Sequence, residues 1–295
     1  MKDININFKS NAAKLSKLVE NKNLISKDFI CCLEGIKPVS RLNFNETKLN
    51  EFVDLCENLK LSYAISDFRI KTVNDKIIFS NLSRRIYEKK DLIGKSSRYI
   101  YISKDKELCE KARQYDAEEN NIKLGELLGF PKCCTEFFDK NHNFGNPDII
   151  RDITQNTDFE YENEATPFYI NYVARYFGYS IISHFPCSWK CQASISLAKK
   201  YLECISEYFP EQGKEFVGML KKPVLYSDEK VILFRNEKII PDDKQSFALR
   251  LSKEDFLSNT NEEFNKIIYK DRISRVYMNN RYKYSIRNPL LLRFK

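Results

Sequence analysis

Apolar positions along the chain follow two periods. Leu49, Phe52, Val53, Cys56 and Leu59 recur three and four residues apart, the spacing of one buried helix face, and predict a helix over 46–59. Ala12, Leu15, Leu18 and Val19 do the same over 11–19. Cys191, Ile195, Ala198, Leu202 and Ile205 form a longer stripe over 188–208, with Ser188 as its cap. A charged helix is expected over 105–119, ending at Asn120-Asn121. Pro131 suits a first helical position, where its missing N–H is not needed, and predicts a helix running to about Lys140. The same logic opens a helix at Thr166-Pro167 and stops it at Gly178.

Short apolar runs bounded by turn residues predict strands over 29–33, 62–66, 69–80 (a hairpin turning at Asn74-Asp75), 98–103, 179–183, 224–226 and 231–234. The end of the chain reads as basic and β. The expected class is therefore α+β. Soft boundaries near 120 and 221 divide it into an N-terminal α/β region (1–120), a helical core bearing cysteines and histidine (121–220) and a β-rich basic region (221–295).

With 42% hydrophobic residues, the 295-residue chain can bury a full core, and only 8 glycines and 9 prolines leave little for flexible linkers. No apolar run approaches the length of a membrane span, and the first twenty residues hold no apolar signal core. The expected location is the cytoplasm, with no membrane partner. There the nine cysteines, an odd number, would be thiols rather than a disulfide framework.

The net charge of +8 is concentrated at the end: residues 270–295 hold eight basic side chains against Asp271. Interleaved with Tyr277, Tyr282 and Tyr284, and preceded by Tyr269, this stretch reads either as a solvated hairpin or as a dock for an acidic partner. Lys37, Arg41 and Asp242-Asp243 read as solvated charges.

The chemistry concentrates in two segments. Pro131-Lys-Cys133-Cys134 and Pro186-Cys187-Ser-Trp-Lys-Cys191 each place a proline and then cysteine at an expected helix start. The partial positive charge and free N–H groups of a helix N-terminus favour the reactive thiolate and could hold an oxyanion. His184, one of only two histidines, closes the expected strand before the second segment. Cys134, or its neighbour Cys133, is the candidate nucleophile and His184 the base. Asp148, Asp228 and Asn171 are candidates to orient the imidazole, and Trp189 to wall a substrate cleft. His142 lies in a polar helix-end loop and reads as structural. Cys56, Cys109 and Cys204 read as helix packing, and one member of the Cys31-Cys32 pair, whose side chains alternate across the expected strand, reads as core.

A metal site is the rival reading. His184, Cys187 and Cys191, completed by Cys133 or Cys134, would make a soft ligand set for zinc or an iron–sulfur cluster. Against it stand spacings unlike a zinc ribbon or finger, the position of Cys191 in an apolar stripe, and the adjacency of Cys133 and Cys134. A third reading is a nucleic-acid-binding module built on the basic C-terminus.

Leu128-Gly-Phe-Pro-Lys-Cys-Cys-Thr-Glu-Phe-Phe138, His184-Phe-Pro-Cys-Ser-Trp-Lys-Cys191 and Gly35-Ile-Lys-Pro38 resemble an uncharacterised archaeal and bacterial family, over about residues 30–210. More narrowly, they resemble the papain-like transacylating enzymes of polythioamide assembly. That likeness implies a papain-like core and a thiol-dependent acyltransferase of secondary metabolism. It would move an acyl chain from a carrier-protein thioester to an amine, with no cofactor, and the basic C-terminus would suit an acidic carrier. The chain departs from papain-like proteases in lacking a glutamine shortly before the cysteine and an Asn-Ser-Trp segment well after the histidine.

Overall fold

The computed structural model describes residues 25–72, 83–86, 97–143, 145–146, 148–160, 164–236, 247–260, 264–270 and 273–295. The helix expected over 11–19, the Asn74-Asp75 turn and Asp242-Asp243 lie outside them. The class is α+β, with helices and three sheets. Among the described residues, no helix is long and apolar enough to cross a membrane.

The first sheet, ordered β1-β4-β2-β3, joins β1 (Ser40–Asn45), β4 (Ser97–Ser103), β2 (Ser62–Thr72) and β3 (Ser83–Ile86), antiparallel throughout. Residues 62–72 form one strand rather than two. An irregularity between Ile65 and Arg69 interrupts the pairing where the sequence pattern broke. Helix α1 (Ile25–Leu33) includes residues 29–33, which read as a strand. It is buried on several sides at once, so its apolar run lacks a helical stripe, and both Cys31 and Cys32 are buried in it. Helix α2 (Leu49–Asn58) follows its predicted stripe, burying Phe52, Leu55 and Cys56. Helix α3 (Lys106–Ala117) starts where Asp105 accepts the Glu107 N–H at 2.8 Å.

Helices α4 (Asn121–Leu127), α5 (Lys132–Asn141) and α6 (Ile150–Gln155) lead to an irregular segment. Instead of one helix over 166–178 there are two 3₁₀ turns, Phe168–Ile170 and Val173–Phe177. Asn171 lies between them, accepting the Ala174 N–H and donating to the Leu220 carbonyl, so its side chain replaces the helical ladder. Residues 179–183 form no strand. The carbonyls of Ser180 and Ile182 turn inward to the buried Lys27 ammonium. Helices α7 (Gln192–Tyr208) and α8 (Pro210–Leu220) complete the helical layer.

β6 (Val224–Tyr226) and β7 (Val231–Phe234) fall where expected, because a continuous apolar run marks a strand buried on both faces. They lie in the sheet β5-β13-β6-β7-β9, with β5 (Ala165–Thr166), β9 (Phe256–Ser258) and β13 (Leu290–Phe294). Because β13 runs parallel to β5, the end of the chain is stitched into the middle, and one apolar cluster runs from Ile30 to Phe294. The third sheet, ordered β12-β11-β10-β8, is an antiparallel meander of β8 (Phe247–Arg250), β10 (Lys266–Lys270), β11 (Ile273–Met278) and β12 (Arg281–Arg287). It carries much of the terminal basic charge. Tyr282 is exposed on it, whereas Tyr269 is buried and unavailable for docking.

Candidate metal centre

Two loop-to-helix junctions bring the site together. The first is the tight turn from α4 into α5. Gly129 takes φ +73°, a left-handed conformation that glycine adopts without strain, and a Cβ there would lie 3.2 Å from Pro38 Cδ. The Leu128-Gly-Phe-Pro131 turn thus packs on Lys37-Pro38. Gly125 lets α4 lie against α5: a Cβ on it would fall 2.5 Å from Thr135 Cγ2. With Pro131 as cap, α5 starts at Lys132 and places Cys133 and Cys134 in its first turn.

Both adjacent thiols can face one point because Cα–Cβ bonds tilt toward the helix N-terminus, so first-turn side chains converge beyond the helix end. The Sγ atoms of Cys133 and Cys134 are 3.9 Å apart. Adjacency therefore does not prevent joint ligation here.

The second junction is 184–191. The helix expected with Ser188 as its cap is capped three residues later, by Cys191, and starts at Gln192. Residues 187–191 instead form a loop around the sulfurs. The Asn156 side chain donates to the Cys187 carbonyl at 2.7 Å, and the Trp189 N–H to Thr157 Oγ1 at 2.8 Å. Cys191 therefore leaves the apolar stripe. Its Sγ lies 3.8 Å from that of Cys133 and 3.6 Å from that of Cys134. With Cys187, all four Sγ atoms lie within 4.8 Å of one another.

These distances identify the kind of centre the residues can hold. Four thiolates at about 2.3 Å from one tetrahedral ion lie about 3.8 Å apart along each edge. Three of the pairs span 3.6–3.9 Å. A polynuclear cluster interposes several irons and sulfides and needs a wider cage. The N-termini of α5 and α7 both point at the sulfurs, and their partial positive charges favour the anionic form.

Four thiols this close cannot all ionise without a cation among them. Hydrogen bonding to Cys187 and then Cys191, together with burial, pushes the Cys134 thiol up. Cys187 gains from its bond with Cys134, but its bond to Cys191 and burial outweigh that and push it up to about 12. Cys191, accepting from Cys134 and Cys187, is the one pushed down. Proton sharing of this kind is what a divalent ion would replace.

Ser194 carries no signal in the sequence pattern, yet its buried hydroxyl lies 3.1 Å from Cys134 Sγ and 2.8 Å from His184 Nε2. Cys134 Sγ also accepts the Cys187 N–H at 3.3 Å. His184 thus meets the thiols through a hydroxyl. Its ring packs on Phe130 with centroids 5.0 Å apart, and burial, then Lys37, push it down to about 3, so it is neutral. Its Nδ1 has no hydrogen-bond partner among the described residues.

None of the three proposed orienting residues bonds to His184. Asp148 accepts from Tyr176 and faces Arg175, Asp228 pairs with Arg151, and Asn171 serves the backbone. Trp189 is fully buried, its indole N–H on Thr154 Oγ1 at 2.9 Å and its ring edge-on to Phe294. It walls no cleft. Cys31, Cys32, Cys56, Cys109 and Cys204 are buried free thiols away from the cluster.

Lys37 is not a solvated charge. Its ammonium is buried and meets Asp28 at 2.6 Å, and Asp28 also accepts from Ser183 at 2.7 Å. Burial alone would raise the Asp28 carboxyl, but Lys37 and then Lys27 hold it below the usual range. Burial pushes the Lys27 ammonium down to about 8. With Lys27 on the Ser180 and Ile182 carbonyls, this network ties the segment before His184 to α1. Arg41 is likewise paired, with the buried Asp116 at 2.8 Å. Comparison with family models, with curated proteins and with solved structures finds no match to this chain.

Proposed function

We propose that this is a zinc-binding protein whose ion is held by Cys133, Cys134, Cys187 and Cys191. One observation carries the reading: four sulfurs from two distant segments lie within 4.8 Å, with three pairs at the edge length of a tetrahedral tetrathiolate. Zinc fits better than ferrous iron because it binds such a site more tightly and has no geometric preference to oppose the tetrahedron. A full set of four protein ligands is the composition of a structural ion. It would clamp the start of α5 to the start of α7 and fix the loop between His184 and Cys191. Ser194 and the Cys187 N–H supply the outer hydrogen bonds that thiolate ligands need. Elemental analysis of protein purified without chelators should give one zinc per chain, and Cys191→Ser should lose it. Cobalt in place of zinc should give the intense visible bands of a tetrahedral thiolate site, and their absence would count against the reading.

The hydrogen-bond chain Cys134 Sγ–Ser194 Oγ–His184 Nε2 favours a second reading, thiol-dependent acyl transfer on a papain-like core. Cys134 or Cys133 would take an acyl group from a carrier-protein thioester, His184 would accept the thiol proton through Ser194, and an amine would receive the acyl group. This ranks second because a buried imidazole pushed down to about 3 is a weak base, and Cys134 is itself buried. An acyl adduct on metal-free protein after incubation with an acyl thioester, abolished by Cys133→Ser or Cys134→Ser, would reverse the order.

A further inference from the structure

We propose that Cys133 is a reactive ligand within this centre, an acceptor of alkyl groups from soft carbon electrophiles. The inference rests on the zinc reading and goes beyond a structural ion. In a tetrathiolate every sulfur carries negative charge, so reactivity is decided by access and by how many donors occupy the sulfur lone pairs. Cys134 is buried and takes two donors, the Cys187 N–H and the Ser194 hydroxyl. Cys191 is buried at the cap of α7. Cys187 is half-buried. Cys133 is exposed, and the polar contacts of its Sγ among the described residues are to the neighbouring sulfurs alone. Lys132 and Glu136 beside it are exposed and form only a loose 3.8 Å pair, so neither of these neighbours covers the approach.

The step balances without an oxidant or a proton. A lone pair on Cys133 Sγ attacks a saturated carbon, the S–C bond forms, and the carbon–leaving-group bond breaks with its electron pair on the leaving group. The product is a neutral thioether, and the zinc–thiolate unit falls from two net negative charges to one. A thioether is a poor zinc ligand, so alkylation also loosens the ion. The centre would then register small uncharged alkylating agents by giving up its metal.

The experiment is peptide mapping of zinc-loaded wild-type protein after limiting iodoacetamide, with zinc content measured on the same samples. The expected result is carboxamidomethylation of Cys133 at least about tenfold faster than of Cys134, Cys187 or Cys191, with zinc released in step. Equal rates, or Cys187 reacting first, in protein that holds one zinc per chain would overturn the inference and leave the zinc reading standing. Protein that binds no stoichiometric zinc would overturn the reading beneath it. No variant is required, so a folding defect cannot confuse the outcome.

Discussion

Replacing Ser194 with alanine tests the connection between the sulfurs and the imidazole. The hydroxyl is buried and touches two groups, Cys134 Sγ at 3.1 Å and His184 Nε2 at 2.8 Å. With zinc bound, Cys134 is a thiolate and can only accept, so Ser194 donates to it and accepts from the Nε2–H of a neutral imidazole. Alanine removes one of the two donors to that thiolate. Loss of an outer hydrogen bond costs about 10–100-fold in metal affinity, equivalent to about 1.4–2.8 kcal/mol. It also leaves Nε2 unpaired in a ring whose Nδ1 already lacks a partner, costing about 1–3 kcal/mol of fold stability with or without metal. The two effects separate experimentally. Competition with a chromogenic chelator measures zinc affinity, and urea unfolding of metal-free protein measures the rest. Ser196→Ala, an exposed position on the same helix, is the control. If Ser194→Ala loses stability but binds zinc as tightly as wild type, the hydroxyl serves only packing and the proposed support of the thiolate is wrong.

Other outcomes follow from the same geometry. Gly125→Ala should destabilise, since overpacking costs about 1–3 kcal/mol against a helix-propensity gain of about 1 kcal/mol. Thr135→Ala in the same chain should recover about 1 kcal/mol or more relative to additivity, and additive behaviour in urea titrations would show that α4 and α5 do not pack as described. Asp28→Ala strands the Lys37 ammonium and the Ser183 hydroxyl and should cost about 3–5 kcal/mol, and a loss under about 1 kcal/mol would mean that Lys37 reaches water. His184 is held neutral in the fold, down to about pH 3, whereas unfolded chain takes up a proton near 6.5. Its contribution is therefore complete above pH 6.5 and is lost as pH falls toward 3, so His184→Asn should flatten the stability profile in that window. Equal slopes for the two proteins would place the ring in solvent.

The parts of the fold legible in the sequence were those with one-sided or unbroken patterns. The stripe of α2, the apolar runs of β6 and β7 and the proline opening of α5 appear nearly where expected. The failures share a cause: tertiary partners replaced local preference. Residues 29–33 read as a strand because the unbroken apolar end of a helix buried on several faces shows no polar side. The 3₁₀ turns after Pro167 depend on a hydrogen bond from Asn171 to Leu220, 49 residues away, and no local window contains it.

Much the same holds for the site. The two proline–cysteine segments were visible, and so was their possible convergence on a metal. Their geometry was not. Cys191 counted as part of an apolar stripe because the delayed start of α7 leaves no mark in the residue pattern. A serine on a helix face gives no signal, so Ser194 went unnoticed while His184 stood out by rarity. Lys37 reads as an ordinary surface charge because its burial depends on the pairing with Asp28.

X-ray absorption at the zinc edge tests the central claim most directly. A single shell of four sulfurs at about 2.3 Å is expected, with no nitrogen or oxygen scatterer in the first shell. A shell containing imidazole nitrogen, or a zinc content far below one per chain, would contradict a centre made of Cys133, Cys134, Cys187 and Cys191.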